Sequence, residues 1–365
     1  MLLKKSLFFL LCFVTIVVLS SCSNTNSEEN QVVEKESEER IIEDMAGRKV
    51  SIPTDINRIY TINEIGTIFL YTLAPEKLAG WNSKLGSEKP FIKEEFHDLP
   101  VLGRWRGPDS VNIEEILGVN PDIIINMGDV SEGYISESNE MEELFGVPVI
   151  MVDGSLTKQD EAYLFLGDLL GVKERAKVLA DYSREILDRI EQKAKSIQPS
   201  EKLRVYYAAG TEGLETVPMG SINTEIIDVV GGINVAGSNL NENVRRMQVS
   251  LEHVIDWNPN MIIISSSFSE NHEVYHTILS DRSWSHIDAV QNQHVYEIPY
   301  GPYDWFNGPP SVMRIMGLQW LGNLLYPNVY DIDLKKELID FMKVFFEYEI
   351  SDEEINALLE RAVRQ

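Results

Sequence analysis

An α/β fold of two lobes, each built on a mainly parallel sheet and joined by one long helix, is predicted from three observations. Short runs rich in isoleucine and valine alternate along the chain with segments of helical spacing, the pattern of strands connected through helices. One such unit occurs twice, at 112–125 and again at 250–263. Between the copies, 171–197 places Leu179, Tyr182, Ile186, Ile190, Ala194 and Ile197 at steps of three and four, the single apolar face of an amphipathic helix.

Taken in order, residues 1–21 read as a secretory signal peptide. Lys4 and Lys5 precede an apolar run over 7–19 that stops at Leu19-Ser20-Ser21-Cys22, and that run is shorter than the roughly 18 residues a membrane-spanning helix needs. The ending is similar to the lipobox of bacterial lipoproteins. That resemblance implies cleavage before Cys22 and a diacylglycerol on its sulfur, making Cys22 the lipidation site. Cys12 falls in the removed segment, so no disulfide holds the mature domain. Residues 22–40 are rich in Ser, Asn, Glu and Lys and bury too little to fold, which predicts a flexible tether.

The first lobe is expected over 41–170, with strands at 58–62, 78–81, 122–126 and 147–152 and helices at 65–73, 113–117 and 141–145. The connecting helix follows at 171–197, and Asp181, Arg184, Glu185, Asp188, Arg189 and Glu191 on its other side place it against a surface. The second lobe is expected over 198–365, with strands at 203–208, 233–236, 261–265 and 295–299, a helix at 224–230 and terminal helices over 334–362. Ser351-Asp352-Glu353-Glu354 has the form of a helix start. In both repeats the helix meets Asn-Pro, at Asn120-Pro121 and Asn258-Pro259. Proline disfavours a helical conformation in the residue before it, so each helix ends there and a buried strand begins. Duplication of one α/β unit accounts for both.

The chain has 365 residues, 44% hydrophobic and 25% charged, enough for two cores. A formal net charge of -26 excludes nucleic acid as a partner, since that binding depends on Lys and Arg neutralising phosphate. It equally disfavours adsorption to anionic lipid, so membrane contact is expected through the anchor alone.

From about Glu43 onward the sequence resembles the metal-complex family of ABC substrate-binding proteins, which includes binders of siderophores, haem and cobalamin. The resemblance is carried by Asp44-Met45-Ala46-Gly47-Arg48, Pro53 and Arg58 at the entry, the two Glu-bearing repeats, the one long helix, and Trp284, Ala289-Val290, Asn292 and Val295-Tyr296 near the end. It implies two Rossmann-like lobes with the ligand held in the cleft between them.

Ligands of open α/β sheets bind beyond the carboxyl ends of the strands, where loops converge. Those loops bring Trp81, Arg104, Trp105, Tyr207, Arg245, Arg246, Tyr303 and Trp305 into candidacy as ligand-binding residues, and the resemblance adds Pro108 and Met127 and supports Arg246. Aromatic faces suit the rim of an organic chelate, and guanidinium forks suit its carboxylate, catecholate or hydroxamate oxygens. A ferric siderophore is the leading expectation, with corrinoid, haem or a molybdate-type oxyanion as alternatives, and neither a cofactor nor a protein-held metal is expected.

Glu114 and Glu252 match the family glutamates that the resemblance implies meet arginines of the permease dimer, and each equally fits an acid in the first turn of a helix. The expected partners are an ABC permease dimer with its ATPase subunits, and the expected state is a monomer. A competing reading from another class is a lipid-anchored zinc hydrolase. His272-Glu273-Val274-Tyr275-His276 spells the pattern in which two histidines one helical turn apart bind zinc beside a glutamate, although no third histidine follows at the extended spacing.

Overall fold

A computed structural model describes residues 38–105, 113–237, 246–265 and 272–364. The signal peptide, Cys22 and most of the tether therefore lie outside the described residues, as do Pro108 and Arg245.

The chain enters through an antiparallel hairpin, β1 (Glu39–Glu43) and β2 (Lys49–Pro53). The buried Asp44 carboxylate closes its turn, accepting from the N–H groups of Ala46 and Arg48 and reaching Met151 N at 3.1 Å. Gly47 supplies the left-handed corner with φ +77°, a conformation that costs glycine nothing.

The first lobe follows with β3 (Ile59–Thr61), α1 (Glu64–Leu73), α2 (Ile113–Gly118), β4 (Ile123–Gly128), α3 (Glu132–Phe145) and β5 (Val149–Asp153). Its sheet runs β3-β4-β5, all parallel, with Ile59 opposite Ile123 and Ile124 opposite Val149. The strand expected at 78–81 is reduced to single parallel bridges, Ile59 to Leu78 and Trp81 to Val101. Pro75 and Pro100 bracket this stretch and its partner, and proline offers no N–H to a ladder.

Helix α4 (Gln159–Leu170) turns at Gly171, φ +74°, into α5 (Lys173–Ala194). The two pack as a hairpin; a Cβ at Gly167 would lie 2.2 Å from that of Ala176. Ala176, Leu179, Ala180, Ser183, Ile186, Leu187 and Ile190 of α5 are buried. Its polar side is less free than expected, because Arg184 forks onto Asp160 of α4 at 2.8 and 2.6 Å and Arg189 pairs with Glu337 at 3.0 Å.

The second lobe comprises β6 (Arg204–Ala208), β7 (Glu215–Thr216), α6 (Glu225–Val229), β8 (Ile233–Asn234), β9 (Met247–Gln248), α7 (Leu251–Trp257), β10 (Met261–Ile264), α8 (Glu273–Ser280), α9 (Asp288–Gln291) and β11 (Val295–Glu297). Its parallel sheet runs β11-β10-β6-β8. The two repeats thus feed different sheets, β4 in one and β10 in the other. Both Asn120 and Asn258 take positive φ, 49° and 35°, a left-handed conformation that asparagine tolerates.

The chain closes with α10 (Arg314–Leu325), α11 (Pro327–Tyr330), α12 (Leu334–Phe341), a π-type turn (Met342–Phe346) and α13 (Asp352–Leu359). Ser351 and Glu354 form the predicted start of α13 as a reciprocal capping box. The terminal segment touches both lobes, since Phe346 packs on Tyr71 and Tyr348 on Phe91 of the first. Among the described residues, no helix is long and apolar enough to cross a membrane.

Candidate functional site

The carboxyl ends of both sheets carry loops that meet, and buried polar hubs fix those loops. In the first lobe the hub is Asn82, whose side-chain N–H groups donate to Thr61 O at 2.7 Å and Gly103 O at 2.9 Å. Tyr60 donates to the same Gly103 carbonyl at 3.0 Å, and Thr67 hydrogen-bonds to Asn82 and Thr61. The end of β3, the loop after Trp81 and the loop before α2 are thereby one unit. Asn63 adds the end of β4, capping α1 through Gly66 N and donating to Met127 O at 2.9 Å. On this platform the Arg104 guanidinium pairs with Glu64 at 2.5 Å, both side chains partly exposed.

At the end of β5, Gly154 donates to Gly128 O at 2.8 Å. A Cβ at Gly154 would lie 3.1 Å from Gly128 Cα, so a larger residue there would have to push the two strand ends apart by a few tenths of an ångström.

In the second lobe Tyr207, at the end of β6, is buried and stacks on Phe306 with ring centres 5.1 Å apart. Its phenol stands near the side chains of Ser265 and Asn307. Burial, and then the charge of Asp304, push the Tyr207 hydroxyl up, while the nearby Arg246 opposes this. Asp304 is itself buried and accepts from Phe306 N at 2.7 Å and Asn307 N at 2.8 Å, shaping the turn after β11. Arg246 pairs with Glu215 at 3.2 Å.

The lobes face each other at Tyr300, whose phenol stands near Ser87, Glu88 and Glu64 of the first lobe. Burial chiefly raises its pKa, and the carboxylates Glu88, Asp304 and Glu64 add to the rise. Tyr303 is pushed far above its ordinary value for the same leading reason, with Glu88 the next contributor. Both phenols therefore keep their protons, with Glu88 and Glu64 near each. Phenol O–H and guanidinium groups are the donors that suit an oxygen-rich surface.

Beside the cleft a buried clasp joins the lobes. Glu225 of α6 accepts from Leu156 N at 3.1 Å and from Arg314 at 3.2 Å, and Arg314 donates to Gly154 O at 2.6 Å and Ile222 O at 3.1 Å. Burial raises the Glu225 carboxyl and lowers Arg314, each opposed by the other's charge.

The predicted residues separate into groups. Arg104, Arg246, Tyr207 and Tyr303 stand at these strand ends. Trp105 is half-buried, packed on Phe145 at 5.6 Å. Trp81, Met127 and Trp305 are core side chains, 3%, 0% and 0% exposed, and Tyr207 and Tyr303 are similarly buried at 1% and 7%. The indoles of Trp81 and Trp305 already donate to Phe96 O at 2.8 Å and Gly301 O at 3.0 Å. Tyr300, Glu64, Glu88 and the clasp were not singled out beforehand. The signal for Tyr300 was its place directly after the last strand run.

Glu114 and Glu252 are exposed in the first turns of α2 and α7, on separate lobes. Hydrogen bonding with Ser250 holds the Glu252 carboxyl below the usual range.

The zinc-helix reading is corrected. His272 precedes α8 in a left-handed conformation, φ 60°, so it does not share a helical face with His276. Its Nδ1 lies 2.6 Å from Glu297 and its Nε2 3.2 Å from Arg361, beside a hollow of about 130 Å³, whereas His276 is exposed. Among the described residues, no three His, Cys, Asp or Glu side chains group to hold a metal.

Comparison with known proteins gives consistent matches. The sequence profile of a family described as periplasmic binding protein matches residues 98–300, more than half of the chain. The molybdate-binding protein MolA of Haemophilus influenzae is 24% identical over 335 residues, covering 84% of this chain and 91% of that protein. An uncharacterized ABC transporter substrate-binding lipoprotein of Bacillus subtilis, YvrC, is 20% identical over 338 residues, covering 90% and 99%. Among solved structures, an ABC transporter solute binding protein from Sulfurospirillum deleyianum superposes with a TM-score of 0.81 at 29% identity, covering 88% of this chain and 99% of its own.

Proposed function

We propose that this chain, which belongs to the periplasmic binding protein family, is the substrate-binding component of an ABC importer and captures a metal complex outside the cytoplasm, a ferric siderophore being the leading ligand. The observation that carries the reading is that two separate parallel sheets end in loops that meet, with Tyr300 of the second lobe close to Glu88 and Glu64 of the first and Arg104 paired with that same Glu64. Such a cleft captures without chemistry. Binding favours the closed arrangement by the ligand's differential affinity for it, and Glu114 and Glu252 present one acidic contact per lobe to a permease dimer with its ATPase subunits. Cys22 supplies the lipid anchor, and the protein acts as a monomer.

A molybdate-type oxyanion is a second reading, favoured by one observation: the curated relative matched over 84% of this chain is a molybdate-binding protein. Titrating the Cys22→Ser protein with ferric chelates, corrinoids, haem and molybdate, followed by tryptophan fluorescence and metal content, separates the two. Saturable one-to-one binding of a ferric chelate is expected. Tight binding of molybdate with no response to any iron complex overturns the siderophore reading, and no binding across the whole panel overturns capture of a metal complex.

A further inference from the structure

The C-terminal chain leaves the second lobe, crosses onto the first and returns. Its outgoing end, α12, packs on α10. Its returning end is pinned where Trp320 donates to Ala362 O at 2.6 Å, Glu297 N donates to Arg361 O at 3.0 Å, and Arg364 donates to Leu324 O at 2.9 and 3.0 Å. Between these anchors the π-type turn Met342–Phe346 ends at Glu347, φ 52°. A π turn carries more residues per revolution than an α-helix, and here Phe345 and Phe346 both point away from the second lobe. Phe345 meets Tyr163 at 6.1 Å and Tyr182 of α5 at 5.5 Å; Phe346 meets Tyr71 at 6.2 Å; Tyr348 meets Phe91 at 5.1 Å. Arg175 of α5 donates to Thr72 O at 3.0 Å and Phe345 O at 3.3 Å, joining α1 to the turn. Lys93 pairs with Glu347 at 2.6 Å on the surface.

We infer that residues 342–348 are a strap that sets how far the lobes separate, a second restraint beside the connecting helix. Both ends of the strap are fixed to one lobe and its middle is buried in the other. Lobe separation therefore cannot be absorbed as slack and must unseat aromatic rings packed at 4.5–7 Å, each pair contributing measurably beyond its area. The Lys93–Glu347 pair is too exposed to carry this, since surface ion pairs contribute little. The strap makes the closed and open arrangements discrete and limits a hinge about α5.

The test needs no ligand, so its failure is distinct from any failure to identify one. The amide of Leu156 donates across the lobes to Glu225, and its hydrogen exchange reports their separation; the amides of Ile262 and Ile263, central in the second sheet, report global unfolding. Phe346→Ala and Phe91→Ala, each alone, should speed exchange at Leu156 by about tenfold with Ile262 and Ile263 little changed. Lys93→Cys with Glu347→Cys, joined by a reducible cross-linker in a Cys12→Ser, Cys22→Ser background, should slow exchange at Leu156, and reduction should restore it. An equal rise at Leu156 and at the sheet amides in both alanine variants, or indifference of Leu156 to the cross-link, overturns the strap.

Discussion

Arg314 reaches from the second lobe to donate a 2.6 Å hydrogen bond to the carbonyl of Gly154 in the first. The guanidinium is fully buried, and its countercharge, Glu225, is bonded in turn to the first lobe's Leu156. One ion pair thus belongs to both lobes, and removing either half strands the other.

Arg314→Met should cost about 3–5 kcal/mol of stability, the usual penalty for leaving a buried charge without its partner. Adding Glu225→Gln should recover much of that loss, because the double variant has no orphaned charge. Urea denaturation of the two proteins makes the comparison, and additive losses would show that the pair is not coupled.

Burial is the leading reason the Glu225 carboxyl titrates above its ordinary 4.5. A carboxyl raised on folding binds its proton more tightly in the native state than in the unfolded one, so its contribution to stability falls as pH rises from the unfolded value through the raised one. Glu225→Gln should remove that component of the slope. The check is the difference between stability–pH curves of parent and variant above pH 4.5, where an unchanged difference would count against the assignment.

The hydroxyl of Tyr300 stands at the cleft near Glu88 and Glu64 of the first lobe. Tyr300→Phe should weaken ligand capture by about 0.5–1.5 kcal/mol, the net contribution of one hydrogen bond, with little change in thermal stability. Calorimetric titration of parent and variant makes the comparison, and an unchanged affinity would remove Tyr300 from the ligand's contacts.

Gly154→Ala places a methyl 3.1 Å from the Gly128 backbone, so the strand ends must shift by a few tenths of an ångström to admit it. A loss of about 1–3 kcal/mol is expected, the range for overpacking, measured by denaturant midpoint.

Charge reversal at Glu114 and Glu252 together should abolish uptake in cells while leaving the affinity of the purified protein intact. Both are exposed in the first turns of α2 and α7 and not in the loops at the strand ends, so a lost affinity would mean that they do not serve docking.

Element types were largely legible because each parallel strand is buried on both faces and must be written as a continuous apolar run, while α5 had to show one apolar stripe. The Asn-Pro punctuation located β4 and β10 to within a residue or two. The stretch 78–81 misled because the same apolar composition serves a strand or a pair of isolated bridges. Within the candidate site, loop position pointed to Arg104, Arg246, Tyr207 and Tyr303, which stand at the strand ends. Trp81, Met127 and Trp305 pack inward, because a large side chain beside a strand end packs inward as readily as it faces a cleft.

The sequence by itself determined the α/β alternation, the duplicated unit and the long helix, since periodicity and proline punctuation are local properties of a chain. Only the tertiary structure decided which histidines share a face, that Arg314 and Glu225 hold both lobes, and that residues 342–348 cross back onto the first. The last two of these join residues about 70 to 275 positions apart in the chain, and no local pattern encodes which distant carbonyl a buried guanidinium will find. Burial makes such pairing obligatory, because an unpaired polar group in the core costs more than folding can spare.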